Sequence, residues 1–188
     1  MIDPSAIRTQ NSREQEGGFP ASEVERATGS KTLRGNRLEL QYEGSSTFNS
    51  WLEGISRAQR MVYLENYLIR DDRVGRAFRD VLIEKARSGV PVYVIYDWVG
   101  CWATPRSYWK PLRQAGVHVR AFNPLSLGIG DPFGILRRDH RKLIVLDGKV
   151  AYVGGFCLGV EWAGRPTHPA WRDTAVKISG PAARAASH

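Results

Sequence analysis

The sequence has few cysteines and no long apolar run, and each scarcity excludes a class of protein. Its two cysteines, Cys101 and Cys157, cannot build a disulfide framework, and they lack the CxxC spacing of a zinc site. No apolar run approaches the roughly 20 residues of a membrane helix, and the start has no basic region followed by an apolar stretch. We therefore expect no membrane span and no secretory signal, and we predict a reducing, cytoplasmic compartment.

Acidic side chains are also scarce relative to basic ones. The 188 residues contain 27 Lys and Arg against 19 Asp and Glu, which gives a net charge of +8. Residues 1–35 carry five side chains of each sign, so the whole surplus falls on residues 36–188. A basic folded domain favours polyanionic partners such as nucleic acid, anionic lipid headgroups or phosphate esters. An ordinary protein of high isoelectric point is the alternative.

The first 35 residues differ in composition from the rest of the chain. They contain one aromatic residue, Phe19, and are rich in Ser, Thr, Gln, Glu and Gly. Such a segment buries too little apolar area to offset the entropy lost on ordering, so we predict a flexible polar tail at 1–35. The folded domain is expected over residues 36–183, with a short tail at 184–188.

Within residues 36–183, the hydrophobic patterns of strands and helices alternate, which predicts an α/β domain with a mixed β-sheet flanked by helices. Strands are expected at 37–42, 61–69, 90–97, 117–122, 142–147, 149–153 and 174–178. Helices are expected at 47–60, 72–88 and 106–115, the first of them capped by Ser45 or Ser46. The pair Asp147-Gly148 predicts a hairpin turn between two of the strands.

The candidate chemistry lies in the stretch 139–148, DHRKLIVLDG. Side chains alternate along a strand, so His140 and Lys142 are expected to share a face, about 6.5–7 Å apart along the chain. An ammonium can neutralise the oxygens of a phosphate ester, while an imidazole can attack phosphorus or carry a proton. For a bare His-x-Lys pair, an ordinary strand with two exposed polar residues is the simpler interpretation.

The longer pattern resembles the HxKxxxxD signature of the phospholipase D superfamily. It comprises His140, Lys142 and Asp147, with Gly154 and Gly155 following. Other segments are similar, in the same order, to the amino-terminal half of a bacterial cardiolipin synthase-like protein: Asn66 to Asp72 with Gly75, residues 89–94, residues 115–117, residues 138–142, and Trp171-Arg172-Asp173. The resemblance covers roughly residues 36–183.

The resemblance implies a mechanism in which two such motifs face each other across a pseudo-two-fold axis. One histidine forms a covalent phosphohistidine, the other protonates the leaving alcohol, both lysines bind the phosphate, and no metal or cofactor is required. His140 is then either the nucleophile or its acid/base partner, and Lys142 is the phosphate clamp. Asp173 corresponds to the carboxylate that orients the imidazole, although a strand-edge aspartate paired with Arg172 is an alternative.

The remaining motif positions have supporting roles in this interpretation. Asp147, Gly154 and Gly155 are expected to shape the turn and the loop around the motif. Arg138 and Cys157 belong to the expected phosphate or substrate region. The family usually has Asn or Ser at the position of Cys157, and a thiol is a poorer hydrogen-bonding group, so weaker phosphate binding is expected.

No second His-x-Lys pair exists in this sequence, so a complete site requires a partner half. The chain is a piece of a two-motif protein, a homodimer, or a remnant without catalysis. The expected substrate is a phospholipid or another phosphodiester. Three functions stay open: a phosphatidyltransferase peripheral on the inner membrane surface, a dimeric phosphodiesterase or nuclease, and a module that binds anionic membranes without turnover.

Two loops are candidates for contacts with the substrate. Residues 97–110 carry three Trp, one Tyr and two cations after a predicted strand, which is typical of a lipid–water interface or of base stacking. An aromatic cluster that only covers the end of the sheet is the alternative. Residues 123–138 are apolar and glycine-rich before the basic pair Arg137-Arg138, as in a loop that admits an acyl chain; a merely mobile loop fits equally well.

Overall fold

A computed structural model of the chain describes residues 20–124 and 137–187, in two compact units, 1–34 and 35–188. In the first unit, Ala21–Thr28 forms a helix, α1, none of whose residues is buried. This helix lies inside the segment that composition predicts to be a flexible tail. Most of the loop expected at 123–138 lies outside the described residues.

The second unit is built on a seven-stranded sheet in the order β1-β7-β6-β5-β2-β3-β4. Strands β2, β3 and β4 are parallel, whereas every other pairing is antiparallel, so the predicted mixed α/β sheet is confirmed. The strands are β1 (Arg37–Gln41), β2 (Val62–Asn66), β3 (Val92–Asp97), β4 (His118–Phe122), β5 (Lys142–Leu146), β6 (Val150–Gly154) and β7 (Ala175–Ser179).

Within residues 35–124 and 137–187, five helices accompany the sheet: α2 (Gly44–Arg57), α3 (Arg73–Arg87), α4 (Arg106–Gln114), α5 (Val160–Ala163) and α6 (Pro181–Ala185). The main core packs residues of α2 to α5 against one face of the sheet, around Trp51 and Phe78. On the other face, Ala183 of α6 is fully buried against β5 and β6. The tail predicted at 184–188 therefore starts inside α6.

The predicted caps of α2, Ser45 and Ser46, are wrong. The helix starts earlier, with Glu43 at the N-cap and no side-chain cap bond, so both serines lie in its first turn. The early start is possible because Gly44 has no side chain: a Cβ atom there would lie 1.7 Å from the carbonyl oxygen of Trp162. A contact across so many residues leaves no mark in the local sequence.

The strand register places the candidate motif at one end of the sheet. Lys142 starts β5 opposite Asn66, the last residue of β2. Ala175 starts β7 opposite both Gly154, which ends β6, and Gln41, which ends β1. We call this the motif end of the sheet. Within residues 20–124 and 137–187, no helix is long and apolar enough to cross a membrane.

Candidate active site at the motif end of the sheet

His140 and Lys142 meet in the structure through their side chains. Lys142 is the first residue of β5 and is 7 % exposed, whereas His140 precedes the strand and is exposed. Lys142 Nζ lies 2.9 Å from His140 Nδ1 and donates a hydrogen bond of 2.7 Å to the His140 carbonyl oxygen. The pair therefore forms one polar unit, although His140 precedes β5 and does not share a strand with Lys142.

Tyr67 is a member of the site that sequence reasoning missed. Its ring centroid lies 4.4 Å from that of the His140 imidazole, at an interplanar angle of 50°. The Lys142 ammonium is 5.3 Å from the centre of the same ring, within reach of a cation–π attraction. Tyr67 directly follows β2, so only the pairing of β2 with β5 could have predicted this contact.

A buried carboxylate holds the chain segment that enters the motif. Asp97, at the end of β3, is 1 % exposed and accepts a 2.9 Å hydrogen bond from the Asp139 backbone through Oδ2. Its Oδ1 accepts bonds from the backbone N–H groups of Val99 and Gly100. Arg138, expected in the substrate region, has its guanidinium 3.4 Å from Asp97 Oδ1. Asp97 therefore ties the turn after β3 to the residues just before His140.

Two carboxyl groups, those of Glu65 and Asp139, lie beside the motif and share Arg141 as a partner. Arg141 Nη2 is 2.8 Å from Glu65 Oε1, and its Nε donates a 3.0 Å hydrogen bond to Asp139 Oδ1. Burial, followed by the Asp139 carboxylate, raises the pKa of Glu65 to about 7. Burial opposes the charge on Asp139, but hydrogen bonds from Glu65 and Arg141 outweigh it and lower the pKa of that group. Glu65 therefore changes charge near neutral pH, beside the Asp139 carboxylate that precedes His140 in the chain.

Gly154 and Gly155 bring β6 against the segment that contains Asp173. A Cβ atom on Gly155 would lie 1.9 Å from Asp173 Oδ1, and one on Gly154 would lie 2.4 Å from the Thr174 carbonyl oxygen. The carboxylate of Asp173 accepts a 3.0 Å hydrogen bond from Trp162 Nε1 and a 2.8 Å bond from the Thr174 backbone. A side chain at position 154 would therefore collide with backbone, whereas one at position 155 would displace the Asp173 carboxylate.

The structure differs from the expected contact between Asp173 and the imidazole. Within the part of the chain that the structure describes, no hydrogen bond joins Asp173 to His140, and none joins it to Arg172. The register explains this, because Asp173 lies two residues before β7 and faces Gly155 and Trp162. Asp173 also borders a cleft of about 620 Å³ that Tyr42, Trp171 and Arg172 line.

Cys157 lies close to the motif but stays a neutral thiol. It is 3 % exposed, and burial raises its pKa to about 11, against the opposing effect of the Lys142 ammonium. Cys101 is also buried and free, and burial raises its pKa to about 12. Its sulfur accepts a hydrogen bond from the Ile69 backbone at 3.2 Å. Neither thiol has the low pKa of a reactive cysteine.

Asp147 lies at the opposite end of β5 from His140. It lies five positions beyond Lys142, a distance of about 16 Å along the strand. Its carboxylate accepts hydrogen bonds from the backbone N–H groups of Gln59, Arg60 and Met61, the shortest of them 2.7 Å long. Burial opposes its charge, but these bonds lower the pKa of Asp147 below its usual range. In the described ranges, no cluster of three or more His, Cys, Asp or Glu could hold a metal ion.

Comparisons with known proteins fit this geometry. Residues 51–160 match the family described as "Cardiolipin synthase, PLD-like domain". The chain belongs to this family. The match to this phospholipase D-like domain contains the whole His140–Lys142–Asp147 pattern, and it confirms the resemblance that the sequence predicts.

A curated relative and two solved structures extend the match beyond the family model. The chain is 37 % identical to cardiolipin synthase A of Pseudomonas aeruginosa (strain LESB58) over 158 residues, which is 84 % of this chain and 32 % of that protein. It thus spans about a third of the length of such relatives.

Both solved structures are matched over nearly their whole length. NucT from Helicobacter pylori superposes with a TM-score of 0.61 at 18 % identity, covering 81 % of this chain and 91 % of that one. The phospholipase D family member Nuc from Salmonella typhimurium superposes with a TM-score of 0.57 at 17 % identity, covering 81 % and 90 %. At these identities, the superpositions establish the fold.

Proposed function

We propose that this phospholipase D-like domain is half of a phosphatidyltransferase or phosphodiesterase of the cardiolipin synthase type. The carrying observation is the contact of 2.9 Å between Lys142 Nζ and His140 Nδ1 at an exposed end of the sheet. A phosphate that approaches His140 meets the ammonium group at the same time. The likeness to cardiolipin synthase A supports a phospholipid as the substrate. The compact unit over residues 35–188 supports a domain over residues 36–183.

The chemistry proceeds in two half-reactions that need two histidines. One imidazole attacks phosphorus, the bond from phosphorus to the leaving oxygen breaks, and the second histidine gives that oxygen a proton. An acceptor alcohol or water then loses its proton to the second histidine and attacks phosphorus, and the N–P bond breaks. Lys142 offsets the negative charge that develops on the non-bridging oxygens throughout.

The contact with Lys142 bears on whether His140 acts as the nucleophile or as its acid/base partner. An ammonium group has only donors, so His140 Nδ1 accepts, and the neutral ring carries its proton on Nε2. In this state, His140 cannot protonate a leaving oxygen, because a neutral imidazole does not release its remaining proton; to act as an acid it must first leave Lys142 and take a second proton on Nδ1. It becomes a nucleophile at Nε2 only when Lys142 turns to the phosphate and a carboxylate accepts the proton on Nδ1. We infer that Asp173 supplies this carboxylate after it releases Trp162.

A second half must complete the site, because the chain carries one motif. A second copy of the chain or another phospholipase D-like half are the two candidate sources. Cys157 lies beside Lys142 as a neutral thiol, so it adds no anion that would compete with the phosphate.

A dimeric phosphodiesterase or nuclease is the second candidate function. The net charge of +8 favours it, because a basic domain attracts the nucleic-acid backbone. This candidate predicts turnover of DNA without turnover of lipid, and DNA binding that weakens steeply with salt. A module that binds anionic membranes without catalysis would show neither activity.

The deciding experiment measures phosphodiesterase turnover of a phospholipid in the presence of EDTA. It compares the chain with His140→Ala, with His118→Ala as the matched control, and records the oligomeric state of each sample. His118 stacks on Tyr93 away from the motif, so its loss should leave turnover unchanged. We expect turnover that needs no metal, occurs in a dimer, and is lost only in His140→Ala.

Two outcomes contradict parts of this proposal. Equal turnover in His140→Ala would show that the observed activity does not use this site. A folded monomer without turnover would exclude the homodimer. The half-site interpretation would then be tested by adding the carboxyl-terminal half of a two-motif relative and measuring whether turnover returns.

A further inference from the structure

Three exposed aromatic side chains at the motif end have no role in the proposed chemistry. Trp102 is 75 % exposed, Trp171 is 59 % exposed and Tyr42 is 58 % exposed. Tyr42 follows β1, Trp171 precedes β7, and Trp102 lies in the turn after β3. Since β1 and β3 end, and β7 starts, at the motif end, all three rings lie at the end of the sheet that carries His140.

The exposure of these rings is unusual within the molecule. The indoles of Trp51, Trp109 and Trp162 are 1 %, 3 % and 8 % exposed, so this fold buries other indoles well. Leaving a Trp ring in water forgoes a large hydrophobic gain. Exposed apolar rings of this size, rimmed by polar groups, mark a surface that contacts something else.

The charge beside Trp102 is of one sign. Residues 98–123 carry Arg106, Lys110, Arg113 and Arg120 and contain no Asp or Glu. Arg106 and Lys110 are exposed on the first turns of α4, which starts four residues after Trp102. Across the motif, the exposed Arg172 adjoins Trp171. On this side of the motif the charge is mixed, because the exposed Glu43 adjoins Tyr42 and lines the same cleft as Arg172, so the uniformly basic part of the motif end is the one around Trp102.

We propose that the motif end docks on an anionic phospholipid bilayer, with Trp102 and Trp171 at the level of the headgroups. Indole rings favour this interface because they combine a large apolar body with an N–H donor. Arg106 and Lys110 would lie against the lipid phosphates. Rings on both sides of His140 fit a planar partner. The inference rests on the proposed function in one respect only, namely that a phosphate of the bound lipid reaches His140.

The test is co-sedimentation of the full chain with vesicles of phosphatidylcholine, with and without phosphatidylglycerol. Each cation near an anionic bilayer strengthens binding several-fold, so Arg106→Gln with Lys110→Gln should weaken it by about tenfold or more. Trp102→Ser should weaken it as well. The matched controls are Leu38→Ser, 64 % exposed on β1, and Lys149→Gln, exposed at the turn opposite the motif; both should bind like the parent chain.

Fluorescence quenching reports the depth of the rings independently. Brominated lipid quenches only indoles that enter the bilayer interface, and Trp102 and Trp171 are the exposed ones identified above. Trp102→Phe keeps an apolar ring at this position but removes the fluorophore. It should therefore bind vesicles normally and lose part of the quenching.

Several results would overturn the proposal. An equal loss of vesicle binding in the Leu38→Ser control would assign binding to the face of the sheet. Equally strong binding to vesicles without phosphatidylglycerol would show that Arg106 and Lys110 do not contribute. If the Arg106 and Lys110 variants lose single-stranded DNA binding while vesicles are never bound, the surface serves nucleic acid. Because His140→Ala should bind vesicles fully, loss of turnover and loss of docking are separable.

Discussion

Asp147 offers the sharpest test of how the motif works, because three backbone donors converge on its carboxylate. Gln59, Arg60 and Met61 donate to it, and its own N–H donates to the Met61 carbonyl oxygen. These bonds fasten the chain between α2 and β2 to the β5–β6 turn. We expect Asp147→Ala to destabilise the fold and to leave the His140–Lys142 geometry about 16 Å away intact.

The magnitude follows from the contacts. A hydrogen bond to a charged group contributes about 1.5–3 kcal/mol to the free energy of unfolding, and less where water can replace the partner. Because water can reach this turn, we expect the three bonds together to contribute about 2–3 kcal/mol. Asp147 also has a φ angle of +57°, which costs Ala about 1 kcal/mol more than it costs Asp or Asn. The expected loss is about 3–4 kcal/mol for Asp147→Ala and about 1–2 kcal/mol for Asp147→Asn.

The assay is chemical unfolding followed by circular dichroism at neutral pH, with Asp80→Ala as the matched control. Asp80 is 63 % exposed and pairs with Arg79 on the surface, so its loss should cost less than about 1 kcal/mol. The lowered pKa of Asp147 adds a pH signature. Its contribution should be present above pH 4 and be lost as the pH falls through its native pKa, so the parent and Asp147→Asn converge in acid.

Two results would refute this reasoning. Equal stability losses in Asp147→Ala and Asp80→Ala would mean that the three bonds contribute nothing. A well-folded Asp147→Ala that no longer binds orthovanadate at His140 would mean that the aspartate acts on the site.

Three further predictions concern the surroundings of the motif. Tyr67→Leu should shift the imidazole NMR resonances of His140, whereas Tyr67→Phe, which keeps the ring, should not; equal shifts would exclude the ring contact. Glu65→Gln should be neutral near pH 4 and stabilise the protein above pH 7, by at most about 3 kcal/mol, since the raised pKa of Glu65 makes its ionisation costly; unfolding curves at both pH values decide. Asp72→Ala should cost about 2–3 kcal/mol of unfolding free energy, because Asp72 caps α3 and accepts from Val160, and a loss below 1 would contradict this.

Local signals in the sequence predict most of the sheet. The Asp147-Gly148 pair predicts a hairpin, and the structure confirms antiparallel pairing of β5 with β6 across positive φ angles at both residues. The predicted strand at 61–69 shortens to β2, Val62–Asn66, since the chain turns away from the sheet after Asn66. Alternation and turn residues are properties of a short window, so the sequence alone reveals them.

The features that the sequence does not predict depend on contacts between residues far apart in the chain. Tyr67 meets His140 only because β2 and β5 pair across 76 positions of sequence, from Asn66 to Lys142. Helix α5 has four residues, too few to show a helical period. The hydrogen bond from Trp162 to Asp173 likewise depends on where α5 packs. Such contacts are set by the tertiary fold and leave no periodic pattern.

The spacing of the motif has a physical explanation in the sheet. From Lys142 to Asp147 the chain runs along β5 from one end of the sheet to the other. The four intervening residues therefore form the body of the strand, between its phosphate-binding end and its turn. One residue more or fewer would reverse the face of every side chain on one side of the change. Either Lys142 would leave Asn66 and Tyr67, or Asp147 would lose its three backbone donors. The motif therefore encodes a strand of fixed length with chemistry at one end and an anchor at the other. An insertion of one residue at Val145 should accordingly cost both stability and phosphate binding, whereas an insertion in the turn at Gly148 should cost stability alone.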